Sequence, residues 1–415
     1  MKPSNVLLLC GLVALPALST PGQEPPTIAG YVTRAASGSD FDVNGVHVVC
    51  TGVRRGAIET ADGIRASAVG CPGFPPFIGE GLEVYGALNG HANSVDATRI
   101  EIQPSPLGEI SGAAVIDAAP AQDAPGAQTS GLIVRADGYR IRITGKTKIE
   151  WSRPLQSLAD VKAGDWIKYK GKTDPAGEVV GTSVQIGPNA VGSEEEKLRV
   201  DNEYDPLTVP ADARQNYLRD VVRLGLDPKR FPPFKDAAMQ ARIEKIGSDL
   251  VPAYQRALAG SDPAKIDFRF QLIDTKLLRD ALTLPNGIIL VPHQVVERLQ
   301  NDSQLAAVLA DGIARALERQ QYRTQGERKV AWLVGGMNSV MAIRTEEKEQ
   351  SGRVSLVLLH DAGYDIDQAP VAWWLLDPFS QQPLTDIEIP DRAIYLYSIL
   401  GETWHNPAAI AAQAH

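Results

Sequence analysis

Between Ile28 and Ile186 the chain repeats itself, and no other feature restricts its possible folds as strongly. Ile28-Ala29-Gly30 corresponds to Ile110-Ser111-Gly112, and the turn pair Asn44-Gly45 to Asp137-Gly138. Gly79-Glu80-Gly81-Leu82-Glu83-Val84-Tyr85-Gly86 corresponds to Gly164-Asp165-Trp166-Ile167-Lys168-Tyr169-Lys170-Gly171, and Asp96 to Ile102 to Val180 to Ile186. The offsets lie between 82 and 93, so a unit of about 80 residues occurs twice. Val46-His47-Val48-Val49 is β-rich, and Tyr139-Arg140-Ile141-Arg142-Ile143 alternates apolar with polar. Asn-Gly and Asp-Gly accept positive φ and favour tight hairpins. Several short strands with glycine turns predict two small antiparallel β-barrels, over 26–105 and 106–190. Ala118 to Ser130, rich in Ala, Pro, Gln and Gly, reads as a mobile loop.

The second half has another character. Ser193-Glu194-Glu195-Glu196-Lys197 reads as a solvated linker or the start of a helix, within a linker over 191–209. Apolar residues at helical spacing follow, as in Ile243, Ile246, Leu250 and Leu258. The expected class is α+β, with two barrels ahead of a mainly helical domain over 210–410.

At 415 residues, 44% hydrophobic and 22% charged, the chain can bury real cores. A net charge of -9 and a pI near 5.3 argue against nucleic acid, which needs a basic stripe. Residues 1–22 read as a secretory signal, with Lys2, the apolar run Val6 to Leu18 and the small residues around Ala17-Leu18-Ser19. Leu9 before Cys10 does not suit lipid attachment, and no later segment is long enough to span a membrane. Cys50 and Cys71 remain after signal removal, and in an oxidising compartment such a pair predicts a disulfide. Export places the protein in the periplasm or outside the cell.

Three blocks resemble a family of zinc metallopeptidases, the one containing the CAAX prenyl proteases, a bacterial heat-shock membrane protease and periplasmic proteases that police outer-membrane assembly. Asp280-Ala281-Leu282-Thr283-Leu284-Pro285-Asn286-Gly287-Ile288-Ile289-Leu290-Val291 looks like the family's N-A-F-A-L-P-G-G-x-I-x-V strand. Gln304 to Ala310 is similar to the approach to its H-E-x-x-H helix, and Ala362-Gly363-Tyr364-Asp365 to the A-G-Y-D after the third-ligand helix. The first half resembles tandem small β-barrels of unknown function in secreted bacterial proteins, through the mark x-G-D-x-[I/V]-x-[V/Y]-x-G. The resemblance implies a zincin-like fold from about 240 to 380.

The chemistry implied by that resemblance is missing. H-E-x-x-H puts two metal-binding imidazoles one turn apart, with Glu acting on zinc-bound water. Asp311 and Arg315 align with the His positions, and Gly312 with the Glu. The third ligand falls at Lys348, with Ser351 and Gly352 as companions; a one-residue shift would bring Glu347 or Glu349 there. Arginine has no lone pair for a metal, and glycine supplies no base. The six histidines, 47, 91, 293, 360, 405 and 415, are scattered, and none stands at ligand or triad spacing. Zinc is therefore expected to be lost and no other cofactor is expected. Asp311 and Arg315 suit an i, i+4 ion pair, with Arg315 in the former metal position and Glu349 beside it; the plainer alternative is an exposed pair.

The strand Gly287, Ile288, Ile289, Leu290 and Val291 offers a place for an extended peptide, because strand addition needs only free backbone groups. It could equally be a core strand. Trp373-Trp374, Trp404, Tyr395 and Tyr397 read as packing for the C-terminal helices. The expectation is an exported pseudopeptidase that binds an extended polypeptide or an envelope protein. Two alternatives stand: an active metalloendopeptidase with unorthodox ligands, and a binding module working through the barrels.

Overall fold

The computed structural model describes residues 26–37, 40–50, 58–59, 65–66, 76–103, 108–122, 131–210, 213, 227–377, 391–407 and 410. The expected signal segment, Cys71 and His415 lie outside them, so the disulfide expected for Cys50 and Cys71 stays a sequence expectation.

Two closed five-stranded barrels form the first half. In the first, β1 (Ile28–Ser37), β2 (Asp40–Val43), β3 (Val46–Val49), β6 (Gly81–Asn89) and β7 (Ser94–Ile102) are ordered β1-β2-β3-β7-β6, and β6 closes on β1. A two-stranded pair, β4 (Ile58–Glu59) and β5 (Arg65–Ala66), lies between. In the second, β8 (Glu109–Gln122), β9 (Gly131–Ala136), β10 (Tyr139–Thr144), β12 (Trp166–Thr173) and β13 (Val179–Gly187) are ordered β10-β9-β8-β12-β13, closed by β10 on β13. A short strand, β11 (Lys148–Trp151), also pairs with β13. In each ring the third and fifth strands run parallel and the other neighbours antiparallel. This is the Greek-key connectivity of OB-type barrels.

The repeat shows why both units fold alike. Asn44-Gly45 and Asp137-Gly138 take positive φ at both residues, 48° and 74° in the first and 57° and 73° in the second, as a two-residue I′ hairpin turn requires. The last glycine of each repeated block, Gly86 and Gly171, stands at a register shift in its barrel. A Cβ there would meet a backbone oxygen of the neighbouring strand at 2.1 and 2.5 Å, so only glycine fits the bulge. Inward alternation then fills each core, with Val32, Phe41, Val48 and Leu82 in one and Ile116, Ile141, Ile167 and Ile186 in the other. Strand β8 continues through Ala118 to Gln122, so the expected loop begins later than composition implied.

The second half is helical around a small sheet. Its helices are α1 (Ser193–Asp201), α2 (Ala237–Leu250), α3 (Ala253–Ala257), α4 (His293–Arg298), α5 (Asp302–Leu317), α6 (Gln320–Asp361), α7 (Gln368–Leu376) and α8 (Asp391–Ile399), with a π-helical stretch Leu400–His405 after the last. Strand β14 (Arg269–Ile273) runs parallel to β16 (Ile288–Pro292), and β15 (Leu282–Thr283) antiparallel to it on the other side. Ile243, Ile246 and Leu250 share the buried face of α2. Leu258 does not continue it, because the helix ends before Pro252, which cannot extend it. Helix α5 is buried along nearly its whole length and is the core of this half.

The expected linker is built into the fold. Glu195 of α1 is 2% exposed and binds Arg199 at 2.9 Å and Arg319, which with Glu318 links α5 to α6. The charged run is thus a helix start, as one reading had it, but it is not a solvated one. Barrel 2 docks on the helices through Arg353, which donates to the Asp137 carboxylate at 2.6 Å and its carbonyl at 3.0 Å. Glu318 accepts the Val115 amide at 3.1 Å, Gln350 donates to the Ala113 carbonyl at 2.9 Å, and Arg135 binds Asp361 at 2.5 Å.

Candidate functional site

Helix α5 presents the residues aligned with the metal-binding motif. Its N-cap Asn301 accepts the Gln304 amide at 2.9 Å, which satisfies one orphan donor of the first turn. The apolar run Leu305 to Ala310 buries the helix against the sheet and α6, and this carries Asp311, 4% exposed, inside.

Both Asp311 oxygens are taken by guanidinium groups. Arg315 donates through Nε to Oδ2 at 2.8 Å, and Arg392, from the first turn of α8, donates to Oδ1. Ser351, on α6, lies beside the same carboxylate, and its hydroxyl donates to the Lys348 carbonyl at 3.2 Å. Burial opposes ionisation of Asp311, yet the two guanidiniums outweigh it and hold the carboxyl below its usual range. Arg392 lies over the Trp373 ring, 3.4 Å from its centroid. Burial, with Arg315 repelling it, pushes Arg392 down to about 10 although Asp311 pulls the other way; it stays a cation at neutral pH. Asp280 shares this field. Burial pushes its carboxyl up against the pull of Arg392 and Arg315.

Gly312, aligned with the catalytic Glu, packs against the sheet. A Cβ on it would meet Thr283 Oγ1 at 2.9 Å and Ile289 at 3.1 and 3.2 Å. The Thr283 hydroxyl donates to the Gly312 carbonyl at 3.1 Å. The volume a general base would need is filled by β15 and β16.

Lys348 is exposed, whereas Ser351 meets Asp311 and Glu347, one turn earlier, acts electrostatically on Arg315. Glu349, expected beside Arg315, instead faces Arg353 in a cavity on the other side of α6.

The donor set does not suit zinc. Asp311 is saturated by two cations, Arg315 offers no lone pair, and Gly312 admits no base. The exposed-pair alternative for Asp311 and Arg315 also fails, since their side chains are 6% and 26% exposed. Arg392 escaped the sequence reading. It lies 81 residues from Asp311, and only the packing of α8 brings it there.

Strand placement corrects a second expectation. Ile288–Pro292 is the middle strand of three, with every residue buried, so addition of a peptide to it is closed. The edge toward α5 belongs to Leu282–Thr283, where Gln321 donates to the Thr283 carbonyl. The opposite edge, on β14, is covered by Gln240, which donates to the Phe270 carbonyl at 2.6 Å and accepts the Leu272 amide at 2.9 Å.

The remaining candidates have structural partners. His293 stacks on Phe234 at 4.0 Å, His405 binds Asp367 at 2.6 Å, and His360 tilts against Trp404. Trp373 and Tyr397 pack in the helical core, while Tyr395 faces the cavity beyond α6. No protein-family model matches this chain, and no curated protein does.

Proposed function

We propose that this is an exported protein whose second half is a metallopeptidase-like scaffold without hydrolytic chemistry, and that it acts by binding an extended polypeptide or an envelope protein. One observation carries the reading: the Asp311 carboxylate is clamped between Arg315 and Arg392, beside a Gly312 that leaves no room for a base. A zincin site needs lone pairs converging on a cation, and here two fixed cations converge on one carboxylate. The identity of the scaffold rests on the three sequence blocks, with a helix over 302–317 at the H-E-x-x-H position and a second over 320–361 beside it.

The test is elemental analysis of the purified protein after zinc loading, paired with casein digestion. The expected result is less than a tenth of an equivalent of zinc, on the order of a background level, and no cleavage. Stoichiometric zinc with peptide hydrolysis would favour the alternative, a metalloendopeptidase with unorthodox ligands.

A further inference from the structure

A cavity of about 660 Å³ opens where barrel 2 meets helices α6 and α8, within the size range of small-molecule and peptide side-chain sites. Its floor is a hydrogen-bonded set. Asp137 accepts from Tyr169 at 2.6 Å and from Arg353 at 2.6 Å, and Arg353 donates to the Tyr395 hydroxyl at 2.6 Å. Gly112 completes it, because a Cβ there would meet Asp137 and Tyr169 within 2.7–2.9 Å. Tyr31 and Tyr139 add two more rings to the wall.

The charges around it do not balance. Arg353 and Asp137 neutralise each other, which leaves Glu346, Glu349 and Glu402 against the exposed Lys168. The carboxylates of Glu346, Glu349 and Glu402 have no hydrogen-bond or ion-pair partner at contact distance among the described residues. Glu402 is partly buried and burial pushes its carboxyl up to about 7. Partly desolvated carboxylates beside aromatic faces are costly alone and attract a cation that can sit against a ring. No three carboxylates among the described residues are grouped to hold a metal ion, which favours an organic cation over an inorganic one.

We propose that this cavity binds an organic cation, an alkylammonium or guanidinium group seated on the tyrosine walls and held by Glu349 and Glu402. The site adjoins the Asp311 cluster at Glu347 but does not use that residue, and it does not depend on whether the scaffold hydrolyses peptides. Two sources share this chemistry, a basic side chain of a polypeptide and a free polyamine.

Calorimetric titration of the full chain at low ionic strength, with trilysine and with spermidine, tests it; triglutamate and maltohexaose serve as controls. Binding of at least one cation is expected, with neither control binding. In a Glu349→Gln/Glu402→Gln variant the Kd should weaken about tenfold. Exposed Glu346→Gln should weaken it about two- to threefold, and this keeps the test decisive if the double variant does not fold. Tighter binding of trilysine than of spermidine identifies a polypeptide as the source; equal or weaker binding identifies a free amine. Failure of both cations to bind, binding of maltohexaose in their place, or affinity unchanged in the folded variants would overturn the proposal.

Discussion

At the scale of single residues, the buried carboxylate is the point of greatest consequence. Asp311 compensates two guanidinium groups that are themselves mostly buried, with side chains 26% and 13% exposed. Removing it leaves two cations facing each other in a low-dielectric site. Asp311→Ala is therefore expected to cost about 3–5 kcal/mol in urea unfolding, as for loss of one partner of a buried pair; a variant with an unchanged midpoint would mean the cluster contributes nothing. Gly312→Glu supplies the residue type of the H-E-x-x-H motif at its aligned position but has no volume to enter. It should destabilise by about 1–3 kcal/mol through overpacking and gain no caseinolysis. Asp311, Gly312 and Arg315 were legible in the sequence because a helical motif keeps its residues within one turn. The count along α6 left Lys348, Glu347 and Glu349 open, since a single helix of 42 residues gives no internal punctuation from which to count. Arg392 was not legible at all, because the segment that delivers it follows another helix and carries no local pattern.

Elements were read well where backbone geometry demands particular residues and less well where only neighbours decide. The Asn-Gly and Asp-Gly turns and the bulge glycines fix hairpin geometry locally, so the doubled barrel could be seen in the sequence. Whether Ile288–Pro292 lies at an edge or in the middle of its sheet is set by strands some 20 residues earlier and just before it, and its apolar run suits either place. The protein also closes the far edge of that sheet with a side chain. The Gln240 amide supplies the acceptor for Leu272 N–H and a donor for Phe270 O, as a neighbouring strand would. Leu272 is fully buried, so Gln240→Ala strands its amide and is expected to lower stability by about 1–3 kcal/mol. Hydrogen exchange read at Leu272 should quicken in the variant; an unaltered rate would show that water or another group serves equally well.

Over the whole molecule, the barrels and helices are joined by contacts that no local pattern announces, such as Arg353 to Asp137, 216 residues apart. Barrel 1 meets the C-terminal helices closely enough that a Cβ on Gly79 would strike the Tyr397 carbonyl at 2.2 Å and the Gly401 nitrogen at 2.4 Å. Glu80, 7% exposed, is buried at this junction; its Oε2 has no partner among the described residues. Burial pushes its carboxyl up to about 7, against a backbone hydrogen bond from Phe77 that pulls it down. A carboxyl raised in the folded state favours the protonated form there, so its stabilising effect is full below the unfolded pKa of 4.5 and is lost as pH rises through about 7. Asp311 acts in the opposite sense, but its contribution fades only below the usual carboxylate range, so it leaves the interval from pH 5 to 8 untouched. Wild type should therefore lose about 2–3 kcal/mol of stability between those limits through Glu80, and Glu80→Gln, which has no charge to bury, should lose less by that amount. Urea unfolding of both proteins at the two pH values measures the difference directly. Parallel losses in the two proteins would show that the Glu80 carboxylate is already ionised at pH 5, and that the seam between barrel and helices tolerates its charge.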